Sequence, residues 1–279
     1  MTTAGEYRTG SGSDPAGETP RRRFVTPKWW RAAAYWAYQY KRTWRSSVAT
    51  SFLIPVLYLA AMGVALGSLI DKHSHGVDGV SYVAFLAPGI LAGTTMQIGA
   101  NDASYPVLGA LKWMRTYQAQ LASPLSVQDV WLGHLAYIAA RLSLMVAVYI
   151  GVMAAFGVVH SPWAVLVLPA AVLNGMAFAA PSGAYVATLD RDAPISTLYR
   201  FVIVPMFLFS GVFFPVAQLP LGLRFVAYLT PLFHGASLCR DLTLGQVNWA
   251  DLGHLTFLGA VAGAGYLVGR RTFARRLVV

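Results

Sequence analysis

The side chains in this sequence that could do chemistry are few and loosely spaced. Asp102, Asp129 and His134 stand in one stretch, but acid–base or nucleophilic catalysis needs carboxylates, or a Ser/His arrangement, converging at one depth, and this spacing names no reaction. Asp71, His73, His75 and Asp78 have the types for metal capture, although the same composition describes a solvated polar loop. His134 and His254 have no further His, Cys or carboxylate at ligand spacing and read as hydrogen-bonding residues between helices. Cys239 is the single cysteine, which rules out an internal disulfide or a dithiol couple and reads as a small buried apolar side chain. Lys28, Lys41, Lys72 and Lys112 sit in no glycine-rich phosphate cradle, so nucleotide hydrolysis is expected on another polypeptide. The expectation is a non-enzyme with no catalytic, cofactor-binding or metal residues.

The elements that carry these residues are set by composition. With 56% hydrophobic and 11% charged residues in 279, the chain has too little polar surface to coat a soluble globule. It reads as an all-α integral membrane protein. Uncharged runs near the ~20 residues that cross ~30 Å of hydrocarbon predict six spans, at 48–70, 81–104, 130–159, 162–189, 198–215 and 250–269. The first 47 residues hold no apolar core of signal-peptide length, so the first span is expected to be an uncleaved anchor. Asn101 and Asp102 stand at the inner end of the second span, and Arg141 lies within the third. Ionisable groups at such depth are costly unless paired or hydrated, so Asp102, His134 and Arg141 are the candidate intramembrane polar residues.

Six crossings put both termini on one side. If that side is the cytoplasm, the inner segments hold 17 of the 21 lysines and arginines, the outer loops hold Lys72, Arg224 and Arg240, and Arg141 is in a span. Basic residues near span ends stay inside, so the formal charge of +10 follows from topology and anionic lipid rather than from nucleic acid. Residues 1–25 read as a disordered cytoplasmic tail. Residues 26–47 read as an amphipathic interfacial helix, capped by Thr26 with Pro27 at its first position, with Trp29, Ala33, Trp36, Tyr40 and Trp44 on one face. Between spans two and three, Pro106 and Ser123-Pro124 bracket a short helix over about 106–122 at the inner face, which either docks a partner or is a plain interfacial linker.

One apolar stretch is too broken to cross. Gly211, Pro215, Gln218, Pro220 and Pro231 interrupt the run FLFSGVFFPVAQLPLGLRFVAYLTPLFHG, and irregular backbone is tolerated in lipid only where protein or water satisfies its polar groups. Residues 216–243 are therefore expected to form a re-entrant helical hairpin on the outer side. Its polar residues, Gln218, Arg224, His234, Arg240 and Asp241, are expected to gather near the exit of a passage. A single distorted spanning helix would place Arg270 to Arg276 outside, which the charge distribution disfavours.

These residues carry a resemblance. Pro205, Phe209-Ser210-Gly211, Phe214-Pro215, Gln218-Leu219-Pro220, Pro231-Leu232, His234, Arg240 and Leu244-Gly245 resemble the signature of the ABC-2 type transport permeases, in the branch of nodulation-factor exporters and daunorubicin-type drug efflux permeases. Leu86, Pro88-Gly89, Asp102, Tyr105, Thr116-Tyr117, Ser123-Pro124-Leu125, Asp129 and Leu132-Gly133 fit the same pattern. The sequence departs from it at His134, where an acidic residue is expected. The resemblance implies a transmembrane domain over 48–276 and a coupling helix, with Lys112, Arg115, Thr116 and Tyr117 touching the ATPase. It further implies two separate ATPase subunits, a second permease chain forming a homodimer, and a cell-membrane location with both termini cytoplasmic.

The expected function is thus the permease subunit of an ATP-driven exporter of a hydrophobic or amphiphilic substrate, such as a drug, polyketide, lipid or oligosaccharide. An ion-coupled secondary transporter would show two broken-helix repeats, and only one broken region is visible. An intramembrane lipid-processing enzyme would need a tighter catalytic cluster.

Overall fold

The computed structural model describes residues 28–48, five positions between 53 and 61, and residues 79–277. The predicted tail at 1–25 and first span at 48–70 lie outside the described residues, apart from Val48 and those five positions. Every regular element among the described residues is helical.

Helix α1 (Trp29–Val48) precedes α2 (Tyr82–Asp102), which is largely apolar and capped by the Ser81 hydroxyl accepting from the Ala84 N–H at 3.4 Å. After one turn the path continues through α3 (Tyr105–Leu108) and a π-helical turn, Gly109–Trp113. Arg115, at φ 49°, then redirects the chain into α4 (Thr116–Leu121). The expected helix over 106–122 is therefore two pieces with a left-handed break between them. Helix α5 (Val127–Ala155) starts with a reciprocal capping box between Ser126 and Asp129, which satisfies donors that lipid could not. A short 3-10 turn, Pro162–Leu166, leads into α6 (Val167–Val186).

The next apolar piece is assembled from α7 (Ala193–Leu198), a π-helical turn Tyr199–Ile203 and α8 (Val204–Phe209). It is followed by a bend at Ser210 to Pro215, a 3-10 turn Val216–Gln218, α9 (Leu221–Tyr228) and α10 (Pro231–Leu244). The last helix is α11 (Ala250–Leu277). Among the described residues, four helical stretches, Tyr82–Trp113, Val127–Ala155, Pro162–Val186 and Ala250–Leu277, are long and apolar enough to cross a membrane, and Ala193–Phe209 is a shorter apolar one.

Helix α6 is the centre of the bundle and packs against α2, α5, α10 and α11. Apolar side chains gain little by leaving lipid for protein, so close backbone approach must supply the attraction. The sequence of α6 is accordingly rich in alanine and glycine. A Cβ on Gly99 of α2 would collide with the Gly175 carbonyl of α6, whereas one on Gly151 of α5 would meet nothing. Gly99→Ala is therefore expected to cost about 1–3 kcal/mol through overpacking, and Gly151→Ala to be neutral or stabilising. Thermal unfolding of the two variants in detergent, side by side, checks the difference.

Candidate functional site

The polar centre of the bundle is built by α2 and α5. Arg141 makes a two-pronged ion pair with the Asp102 carboxylate, one arm at 2.6 Å, and both side chains are largely buried. Arg141 lies fourteen residues, or about 21 Å of helix, into α5, so the pair is deep in the bundle. Asp102 is the last residue of α2, and after one turn the helical path continues to Trp113. Both contacts come from Nη1, and charge-assisted bonds of this kind make burial of both charges tolerable. Helix α1 completes the site: the Arg141 guanidinium sits 5.3 Å from the Tyr40 ring centroid.

His134 is fully buried beside this pair. Its Nε2 lies 3.1 Å from the Asp102 carbonyl oxygen and its Nδ1 3.1 Å from the Tyr117 hydroxyl. A carbonyl only accepts, so Nε2 carries the proton and Nδ1 accepts from Tyr117. The position where a carboxylate was expected is thus occupied by a ring with both nitrogens engaged, bridging α4 to α2. Trp36 of α1 closes over it edge-on, with ring centroids 4.4 Å apart.

The four residues expected at the coupling surface divide. Thr116 and Tyr117 are buried, Tyr117 against His134 and edge-on to Phe273, 5.6 Å between centroids. Lys112 and Arg115 are exposed, together with Trp113 and Met114, two apolar residues that the sequence pattern did not single out. Lys112 is tethered: its Nζ lies 3.0 Å from an Asp190 carboxylate oxygen, which also pairs with Arg276 at the end of α11. Asp190 thereby joins the loop after α3, the loop after α6 and the last helix. Sequence offered no signal for it, because its partners are 78 and 86 residues away. Helix α1 packs along α5, with Ala32 and Trp36 as its buried residues while Trp29 and Trp30 stay exposed. Of the predicted face, Trp36 is buried, Ala33 and Tyr40 are half-buried and Trp29 is exposed.

The polar residues of the 216–243 segment are dispersed rather than gathered. Gln218 is exposed in its turn, and Arg224 donates to the Tyr228 hydroxyl at 3.1 Å. His234 faces His254 of α11. Arg240 reaches back to α2, donating from Nε to the Phe85 carbonyl at 3.2 Å and from Nη2 to the Gly211 carbonyl at 2.9 Å. Its guanidinium lies 3.8 Å from the Phe85 ring centroid. Gly211 adopts φ 81°, a conformation glycine takes at no steric cost, and Ser210 bonds Thr230 at 2.8 Å across the bend. Around Arg240, a cavity of about 210 Å³ is lined by Phe85, Gly211, Pro215, Tyr228 and Phe233 among others. Pro231 opens α10 at its first turn behind the Thr230 cap, and Pro220 precedes α9.

Compared with known proteins, residues 29–244 match the ABC-2 type transporter family. The chain belongs to that family. Nodulation protein J of Rhizobium leguminosarum bv. viciae is 33% identical over 250 residues, covering 88% of this chain and 94% of the relative. Nodulation protein J of Rhizobium meliloti (strain 1021) is 32% identical over 222 residues, 78% of this chain and 82% of the relative. The inner membrane transport permease YadH of Escherichia coli (strain K12) is 26% identical over 223 residues, 78% and 84% of the two chains. The ABC-2 chain is accordingly a multi-pass membrane permease, of a family that normally works with ABC ATPase subunits. Within the ABC-2 framework, the buried pair and the exposed turn at Lys112 to Arg115 are features with chemical character.

Arg141→Met leaves Asp102 without its counter-charge and is expected to cost about 3–5 kcal/mol. The double variant with Asp102→Leu should recover most of that loss, measured by thermal unfolding in detergent. For Asp190, hydrogen bonds from Arg276 and Lys112 draw the carboxyl down to about 2. A depressed pKa means that the tether is present above the ordinary carboxylate range and is lost only as pH falls through about 2. Asp190→Asn should accelerate tryptic cleavage after Lys112 or Arg115 at neutral pH by about two- to fivefold, as befits an exposed pair; an unchanged rate would show that the tether holds nothing.

Proposed function

We propose that this chain is the transmembrane permease subunit of an ATP-driven exporter, moving a hydrophobic or amphiphilic substrate out across the cytoplasmic membrane. The observation that carries the reading is the surface built at Lys112 to Arg115: two basic and two large apolar side chains project from a sharp turn. The turn is anchored by the buried Thr116 and Tyr117. Such a knob suits insertion into a cleft on an ATPase subunit. The anchoring matters as much as the exposure, because a displacement of α4 must move Tyr117, then His134, then the backbone at Asp102.

In this reading the chain crosses six times, with the first span at about 48–70 and the fifth from the assembled piece ending at Phe209. Helices α9 and α10 are 8 and 14 residues long, about 12 and 21 Å, and both fall short of the ~30 Å hydrocarbon thickness. They form the re-entrant hairpin, and two carbonyls at the bend before it, Gly211 and Phe213, are met by Arg240 and the Tyr82 hydroxyl rather than by lipid. Two such chains and two ATPase subunits make the transporter, both termini lie in the cytoplasm, and the homodimer encloses the path. The substrate class extends from drugs and polyketides to lipids and oligosaccharides.

Co-purification with the ABC ATPase of a neighbouring reading frame, reconstituted into proteoliposomes, tests this. ATP hydrolysis should be stimulated only in the co-assembly. Arg115→Glu should reduce that stimulation about tenfold, within the span of typical coupling energies. Arg115 is the cleaner position for charge reversal, because Lys112 also holds Asp190. Stimulation that survives the reversal would exclude the knob as the docking element.

A further inference from the structure

Two pairs of like titratable groups lie on the seam between α10 and α11. His234 Nδ1 is 2.7 Å from His254 Nδ1, and the side chains of Asp241 and Asp251 face each other. His234 and Asp241 are seven residues apart on α10 while Asp251 and His254 are three apart, in reversed order, on α11. Antiparallel packing of the two helices thus puts both pairs along one line. Asp251 is 94% buried by its 6% exposure. Its Oδ2 accepts from the Asn248 N–H at 2.8 Å, and its Oδ1 finds no N–H or hydroxyl donor. Two ionised carboxylates cannot hydrogen-bond each other, so one must keep its proton. An un-ionised Asp241 supplies the donor that Asp251 Oδ1 otherwise lacks.

The histidine pair obeys the complementary rule. His234 Nε2 lies 3.1 Å from the Tyr228 carbonyl, so it carries a proton and, in the neutral ring, Nδ1 is an acceptor. His254 must then donate from its own Nδ1. A second proton on His234 would set two N–H groups head to head. The ring is also stacked on Phe257, 4.0 Å between centroids, which shields the pair from water on that side.

We propose that this seam is a proton-operated latch: one proton between Asp241 and Asp251 and one between His234 and His254 hold α10 against α11. Loss of the first, or gain of an extra proton at the second, frees the hairpin. Burial and the facing Asp251 push the Asp241 carboxyl upward, so its bond is present at lower pH and is lost as pH rises through the raised value. Burial and His254 push His234 downward, so that contact is present at higher pH and is lost as pH falls through the lowered value. The latch closes between the two. Other charged or titratable groups near it are Arg240 beside Asp241, Arg224 and Tyr228 on α9, Tyr82 on α2, and His160, whose backbone N–H bonds the Thr243 carbonyl. Helix α6 carries no acidic, basic or histidine residue, and the C-terminal half of α5 carries no charged one after Arg141. The proposed outward-facing hairpin decides only which compartment's pH is felt; the latch itself does not rest on an ATPase partner or on export.

The test uses the full chain in lipid nanodiscs, without ATPase or substrate, so it can fail independently of the exporter reading. Cys239 is fully buried on α10, and its alkylation by N-ethylmaleimide, divided at each pH by the rate for glutathione, reports release of that helix. The normalised rate should be lowest at mildly acidic pH, below the Asp241 value of about 7, and rise about tenfold on either side, the factor for one unit of pKa difference. Asp241→Asn should abolish only the alkaline rise and His254→Gln only the acid rise, with His160→Gln changing neither. Infrared spectra at neutral pH should contain the C=O stretch of an un-ionised carboxyl that Asp241→Asn removes. A variant that reacts fast at every pH has lost its packing; Asp251→Asn and the wild-type infrared band then decide. A flat wild-type profile, a variant retaining both limbs, or no un-ionised carboxyl band at neutral pH would overturn the latch.

Discussion

A backbone N–H or carbonyl inside a bilayer has no water to fall back on, and each one left alone costs several kcal/mol, a large fraction of a domain's net stability. Several irregular features among the described residues are organised around that constraint. The bend after α8 uncovers the Gly211 carbonyl, which receives Arg240, and its hydroxyl pair, Ser210 and Thr230, closes on itself. The start of α5 is sealed by Ser126 and Asp129, and Asp129 also accepts from the Lys28 N–H at 2.9 Å. In each case a charged or polar side chain does the work of solvent.

The same constraint explains why charge occurs at depth. Asp102 and Arg141 are costly separately and tolerable together. Through the Asp102 backbone, the pair is linked to His134 and hence to Tyr117 on α4. The ring of His134 has no free nitrogen for a metal or a proton transfer, so its chemistry is that of a rigid spacer between three helices. A carboxylate in its place could accept from Tyr117 but could not donate to the Asp102 carbonyl, which gives the departure from the family pattern a physical meaning in this chain.

Packing follows a related logic. Helix α6 is at the centre because its small residues let neighbours approach to backbone contact. The buried Asn174 donates to the Ala92 carbonyl at 2.8 Å and to Thr95 at 2.9 Å, tying α6 to α2. Gly235 of α10 fits against the same asparagine, where any Cβ would overlap it. Polar contacts thus set the register at which the small-residue faces meet.

Membrane class, the apolar helices and the break near Pro215 were legible in the sequence, because hydropathy, segment length and proline act locally and need no knowledge of neighbours. The family was legible too, through short motifs in the C-terminal third. Distribution of the polar residues was not. Sequence grouped Gln218, Arg224, His234, Arg240 and Asp241 as one mouth; packing sends them to a turn, a tyrosine, the α10–α11 seam and the Phe85 carbonyl. Asp190 and Asp251 drew no notice, since their roles depend on partners at distances the chain does not encode in any period. Local order came from residue type and spacing; the partners of each buried polar atom were decided only when the helices met, since a hydrogen bond is chosen among whatever groups that packing brings within reach.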